Sequence, residues 1–188
     1  LPFDLSRKLK EYYGSTSWQL KDIVVWHKTK NTPWHSEGRF RNHFEYILFL
    51  TKGHRFEFNI NSLRETKDYK KWWMRYPERY NSNGRTPTNV WIHSAPIRGW
   101  GKSRQNHFCP LPFGLLERII SLASKEGDTV FDPFTGSSSA IALASEMKRK
   151  VLGFDINPKY RTRFRSEVVI AAKKYWSRRL NERNEEKK

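Results

Sequence analysis

The chain has 188 residues, enough for one domain with a sizeable core, and carries 36 Lys and Arg against 19 Asp and Glu, a formal net charge of +17. Charge of that size points to a polyanionic partner, with nucleic acid ahead of a membrane surface. No apolar run of ~18 residues offers a transmembrane helix, and the single cysteine, Cys109, excludes an internal disulfide and fits a reducing compartment.

In chain order, apolar residues at 5, 9, 12 and 13 predict a helix over 4–14, stopped at Gly14. DIVVWHK (22–28) and EYILFLTKG (45–53) read as strands, separated by the polar, turn-rich TKNTPWHSEGRFRN. RFEFNI (55–60) alternates and predicts an edge strand. The character changes over 65–107. Lys67, Lys70, Lys71, Arg75, Arg79, Arg85, Arg98, Lys102 and Arg104 face only Glu65, Asp68 and Glu78, with Tyr69, Trp72, Trp73, Tyr76, Tyr80, Trp91 and Trp100 interleaved. Pro77, Gly84, Pro87, Pro96 and Gly99 break any period, so this stretch reads as an irregular insertion with one short strand near NVWIH. After Pro112 a stripe of Leu115, Leu116, Ile119, Ile120 and Leu122 predicts a helix closed by Gly127. Strand 129–132, helix 137–148, strand 150–155 and helix 159–180 follow, an alternation that predicts a parallel sheet covered on both faces. The last residues, NERNEEKK, are expected to fray.

The segment VFDPFTGSSSAIALASEMKRKVLGFD is a strand, a small-residue loop, a helix and a strand ending in an acid, yet its loop holds one glycine, Gly136. In a dinucleotide site three glycines let the backbone close on a pyrophosphate at a helix N-terminus. A ligand without phosphates needs only one tight turn, free N–H groups for a carboxylate, and an acid for ribose hydroxyls. Asp155 lies 19 residues after Gly136, close to the ~20 expected of a ribose-binding acid. S-adenosyl-L-methionine meets these demands; NAD is the competing reading.

Neighbouring residues carry a family resemblance. VFDPFTGSS followed by LGFDINPKY closely resembles the adenosylmethionine motifs of amino-group DNA methyltransferases, roughly V-L-D-P-F-x-G-S-G-T-T and then I-G-I-E-x-x-x-x-Y. NHFCPLPFGLLERII is similar to the family's motif X, H-P-A-P-F-P-E-x-L-x-x-R-L-I. DIVVWHKTKNTPW and RFRNHFEYILFLTKG are similar to its d-I-I-W-x-K-x-N-x-x-P and R…h-E-Y-I-x-F-x-x-K stretches. The order, with the cofactor strand behind the basic insertion, resembles the permuted β class. The departures are Ser138 at the family's second glycine, Ser139-Ala140 at its two threonines, Asp155 for a glutamate, Phe108 and Leu111 within motif X, and Phe44 for a histidine.

The resemblance implies an α/β, Rossmann-like methyltransferase fold, a mostly parallel sheet with helices on both faces that is incomplete in this chain. It implies S-adenosyl-L-methionine as cofactor and double-stranded DNA as partner, with adenine N6 or cytosine N4 of a flipped base as target. Asp132, Pro133, Phe134, Thr135, Gly136, Ser137 and Ser138 would line the cofactor's methionine end. Asp155 would take the ribose, flanked by Ile156 and Asn157, and His107, Pro110 and Pro112 would form the motif X wall. Residues 1–64 would belong to the catalytic sheet, 65–106 to target recognition, 107–180 to the cofactor half and 181–188 to a flexible tail.

In the insertion, Lys70, Lys71, Trp72, Lys102 and Arg104 are expected to meet DNA, with Arg75, Arg79, Arg85 and Arg98 the best suited to base edges. Trp72 and Trp73 are adjacent, so on a strand only one would face DNA. No metal is expected, because the histidines show no ligand spacing and one cysteine cannot build a zinc site. The amine would attack the methyl carbon directly, which leaves Cys109 without a catalytic task. The family's catalytic tetrapeptide, [D/N/S]-P-P-[Y/F/W], does not occur in the 188 residues, so no catalytic residue is assigned. Asn31-Thr32-Pro33-Trp34 is the nearest string, but it aligns with an ordinary loop after W-x-K. The resemblance therefore implies a missing segment before Leu1, supplied by a longer chain or by a second one. A prokaryotic or viral-host cytoplasm is the expected setting.

Overall fold

A computed structural model describes residues 2–14, 18–29, 37–38, 40–65, 74–79, 81–94 and 111–185. Helix α1 (Pro2–Tyr13) ends at Gly14, whose φ of +81° is the left-handed turn that favours glycine. Strand β1 (Trp18–His27) is the centre of a three-stranded sheet, pairing antiparallel with β2 (Phe44–Lys52) and parallel with β3 (Val90–Ile92). It begins at Trp18, ahead of the expected Asp22, with an irregularity in register between Leu20 and Asp22. That break hid the strand's first half from a search for unbroken alternation.

The expected strand at 55–60 does not form. Instead Phe56 and Phe58 fold onto Phe49, with centroids 5.8 and 5.4 Å away. The Asn59 N–H donates to Leu122 O, and a 3-10 turn runs over Ile60–Leu63. An alternating pair of aromatics needs one shared face, and a single phenylalanine on β2 supplies it without a ladder.

Helix α2 (Phe113–Ala123) explains the long apolar stripe. Leu115 and Leu122 join Val24, Trp26, Leu63 and Trp91 beneath the three-stranded sheet, with Ile119 packed against them. Leu116 and Ile120, about 100° further round the helix, join Leu143, Ala144 and Met147 in a second core. One helix is thus the shared wall of two cores. It ends earlier than Gly127, at Ser124, whose extended backbone and Oγ bond to Ile120 O stop the last turn. Gly127, with φ +87°, turns the loop that follows.

The second sheet pairs β4 (Thr129–Asp132) in parallel with β5 (Lys150–Gly153), around helix α3 (Ser139–Glu146). Val130 and Gly153 face the helix side. The alternate positions, Phe131, Leu152 and Phe154, are 57%, 50% and 57% exposed. Among the described residues this two-stranded sheet is therefore covered by helix on one face. The closing helix is α4 (Lys159–Arg163), a π turn over Phe164–Val168, and α5 (Val169–Glu185). It continues past the expected limit at 180, because Glu182 and Arg183 are tied into ion pairs that hold the last turns.

Candidate cofactor loop and nucleic-acid face

The loop after β4 is shaped by its own polar groups. Asp132 Oδ1 accepts the Phe134 N–H at 3.0 Å, a side-chain turn that redirects the chain at the strand end. Thr135 is then fixed twice to Phe154 O, by its N–H at 2.9 Å and its hydroxyl at 3.1 Å. Gly136 donates its N–H to Asp155 Oδ2 at 2.7 Å, and Asp155 Oδ1 accepts the Asn157 N–H at 2.7 Å. The two features picked out by spacing, the lone glycine and the acid of the next strand, are thus in direct contact. Each Asp155 oxygen keeps acceptor capacity for a further donor.

Two backbone features make the turn possible. Gly136 has φ +52° and Ser138 φ +62°, so the chain passes twice through left-handed space within three residues. Ser138 is the N-terminal cap of α3 but makes no side-chain capping bond. Gly153 is the close-approach point: a Cβ there would lie 2.4 Å from Thr135 Cγ2 and 3.0 Å from Ile141 Cγ1. Beside the loop, Phe134 is 87% exposed and Ile156 fully so, two apolar side chains at the mouth of a polar turn. Ser137 and Ser139 hydroxyls meet at 3.0 Å at the head of α3.

The DNA methylase model for N6 and N4 methyltransferases matches residues 5–166. The chain belongs to this family. It is 31% identical over 137 residues to the type II methyltransferase M.HpaI of Haemophilus parainfluenzae, a match covering 73% of this chain and 41% of that protein. Among solved structures it resembles PvuII DNA methyltransferase (cytosine-N4-specific), with a TM-score of 0.62 and 16% identity, over 85% of this chain and 53% of that one. It also resembles the M1.HpyAVI–SAM complex, with a TM-score of 0.55 and 19% identity, over 87% and 70% of the two chains. The fold is the Rossmann-like α/β fold of these methyltransferases. The chain spans under half the length of the first curated relatives it matches.

Within this family member, the residues picked out from sequence fall into three groups. Asp132 to Ser138 and Asp155 to Asn157 form one continuous loop pair. Pro112 sits at the head of α2, where its carbonyl accepts the Leu115 and Leu116 N–H groups, while His107 and Pro110 lie outside the described residues. Of the recognition insertion, Lys70, Lys71, Trp72, Arg98, Lys102 and Arg104 also lie outside them, as does the Asn31–Trp34 string. Arg75 is exposed, with its guanidinium 5.7 Å from the Tyr76 ring, and Arg79 ends a short 3-10 turn from Pro77. Arg85 is half-exposed and paired to Glu65 at 3.0 Å.

Sequence reading missed one polar cluster. Glu117, 5% exposed on α2, accepts from Arg179 Nε at 3.1 Å, from Arg183 Nη2 at 2.7 Å and from the Tyr175 hydroxyl. Burial, and then the bond to Glu117, push the Tyr175 phenol above its usual range. Nearby, burial lowers the His93 pKa, reinforced by Arg118 and opposed by Glu117. A charged residue inside an otherwise apolar helical stripe was the available signal, and Glu117-Arg118 carries it. Among the described residues there is no cluster of three potential metal ligands.

Proposed function

We propose that this chain forms the cofactor-binding and DNA-contacting part of an amino-group DNA methyltransferase, acting on adenine N6 or cytosine N4 of a flipped base. One observation carries the reading: the Asp155 carboxylate meets the Gly136 N–H at 2.7 Å, joining a single-glycine turn to a ribose-type acid. S-adenosyl-L-methionine fits those residues. Asp155 retains acceptor sites for two hydroxyls, the Gly136 turn carries no second or third glycine for a pyrophosphate, and the exposed Ile156 beside Asp155 offers apolar surface to the nucleoside. When bound, the cofactor supplies a methyl group on a sulfonium, electrophilic toward an amine. The chain's own contribution is orientation: Thr135 and Asp132 hold the turn, and Asp155 fixes both loop and sugar. His107, Pro110 and Pro112 are the proposed motif X contacts.

The target-recognition role rests on the insertion at 65–106, with Arg75, Arg79, Arg85 and Arg98 the proposed readers of base edges, and Lys70, Lys71, Trp72, Lys102 and Arg104 proposed as further DNA contacts. The catalytic tetrapeptide comes from a further segment, in the same polypeptide or a second one. The half-exposed row of Phe131, Leu152 and Phe154 supports that reading, since an apolar sheet face of this kind calls for a covering layer. Among the described residues no helix is long and apolar enough to cross a membrane, and the cytoplasm is the proposed setting.

Isothermal titration tests the cofactor. The chain should bind S-adenosylmethionine in preference to NAD, and Asp155→Ala should weaken binding by about tenfold or more, the worth of a lost charge-assisted hydrogen bond. Tighter NAD binding, or an unchanged Asp155→Ala isotherm, would overturn it. Transfer of labelled methyl to DNA by the 188-residue chain alone would refute the need for a completing segment. A second reading, a DNA-binding subunit without catalysis, is favoured by the absent tetrapeptide; it stands if no completing segment restores transfer.

A further inference from the structure

Away from the cofactor loop, a pocket of about 420 Å3 lies between the 3-10 turn after β2, the end of β3, and helices α2 and α5. Its walls are rich in charge, and the carboxylates are already partnered. Glu65 pairs with Arg85, Glu117 with Arg179 and Arg183, and Glu182 with Arg178 and Arg179. Two lining cations, Arg64 and Arg118, are left without a carboxylate partner among the described residues. Arg64 is held rigid by neutral acceptors instead: Asn61 Oδ1 at 2.7 Å, Gly84 O at 3.0 Å and Thr86 Oγ1 at 3.1 Å.

Arg118 is the less satisfied of the two. Its guanidinium lies 4.8 Å from the Trp91 ring, and its buried Nε finds no acceptor. Burial lowers its pKa, with Glu65 and Glu117 opposing only in part. A half-buried guanidinium whose Nε has no acceptor and which forms no ion pair among the described residues is an unfavourable arrangement by itself. It is also an arrangement suited to a phosphate, because a guanidinium fork matches phosphate oxygens and Arg64, already held in place, lines the same pocket. The pocket is larger than one phosphate and lies within the ~300–1,000 Å3 typical of ligand sites.

We propose that this pocket takes a phosphate group, presented either by the DNA backbone or by a free phosphate such as a mononucleotide. The DNA source has a structural argument. Glu65, on the pocket wall, exchanges backbone hydrogen bonds with Arg85 at 3.1 and 2.9 Å, so the rim is continuous with the basic insertion. That source rests on the DNA-contacting role proposed above; the phosphate chemistry does not.

Two measurements on the 188-residue chain separate the cases. Inorganic phosphate is titrated calorimetrically at constant ionic strength, and a duplex is titrated by fluorescence anisotropy over a range of salt. Arg118→Met and Arg64→Gln should each weaken phosphate binding by about tenfold, while Arg118→Lys, which keeps the charge, should lose less. If the phosphate belongs to DNA, each charge-removing variant should also lower the slope of log K against log salt by about 0.9. A changed phosphate isotherm with an unchanged slope assigns the site to free phosphate. Wild-type chain that binds no DNA but still binds phosphate through Arg118 would sink the DNA-contacting role and leave this site standing. No phosphate binding, or variants that bind as wild type with an unaltered circular dichroism spectrum, overturns the proposal. Should Arg118→Met fail to fold, the Arg64→Gln isotherm decides.

Discussion

Ser138 occupies a backbone position made for glycine, and Ser138→Gly should stabilise the protein. With φ +62° and ψ +26° it sits in the left-handed region, where a non-glycine residue costs about 1–2 kcal/mol. The usual recompense for serine at a helix N-cap is a side-chain bond to the first turn, and here none is made. Removing the side chain therefore relieves strain while surrendering little. Against that gain stands the extra freedom of glycine in the unfolded chain, about 0.4–1 kcal/mol. The net expectation is a gain of about 0.5–1 kcal/mol, or roughly 1–4 °C in Tm for a chain of this length. Urea and thermal denaturation measure it directly. Ser138→Ala separates the causes: it removes the hydroxyl but keeps the Cβ, so it should leave stability nearly unchanged. If Ser138→Gly destabilises, or Ser138→Ala costs more than about 1 kcal/mol, the hydroxyl has a structural partner and the strain account is wrong.

Gly153→Ala forces a Cβ to 2.4 Å from Thr135 Cγ2 beside the β-branched Ile141, so it should cost about 1–3 kcal/mol by denaturation and weaken S-adenosylmethionine binding through the Thr135 loop. The His93 pKa is lowered in the folded state, so its neutral form contributes stability that is present above about 6.5 and lost as pH falls through the lower folded value. Denaturation between pH 7 and 5 should show that decline, and His93→Gln should flatten it. Leu115→Ala and Leu116→Ala, each fully buried but in different cores, should each cost about 2–5 kcal/mol. Hydrogen exchange should then show β1–β3 and β4–β5 losing protection together rather than separately.

The stretch around Gly136 and Asp155 was legible because its signals are local. A strand-turn-helix with one glycine, followed 19 residues later by an acid, fixes a contact that the fold then makes. Strand β2 and the helices around Leu115 and Ile141 were equally plain, since each has a continuous period or a glycine stop. The failures share a cause as well. Alternation at 55–60 satisfies a strand or a pair of phenylalanines seated on Phe49, and only tertiary packing chooses between them. The charged tail read as frayed because its holding acid, Glu117, lies 66 residues away from Arg183. Partition of the α2 stripe into two cores is likewise invisible in a period of 3.6.

That partition links the two halves of the site. Helix α2 gives Leu115 and Leu122 to the core under β1–β3, which holds Trp91 from within the 65–106 stretch. It gives Leu116 and Ile120 to the core behind the cofactor loop, alongside Leu143 and Met147. Its remaining polar face presents Glu117 and Arg118 to the arginine pocket, and Arg118 stacks on that same Trp91. A phosphate drawing the Arg118 guanidinium away from Trp91 would act on a helix shared by both cores. Close-packed interiors transmit such displacements instead of absorbing them. If Arg118→Met alters phosphate binding, it should therefore also shift S-adenosylmethionine affinity, although Arg118 lies on a different face of α2 from the residues packed behind the cofactor loop.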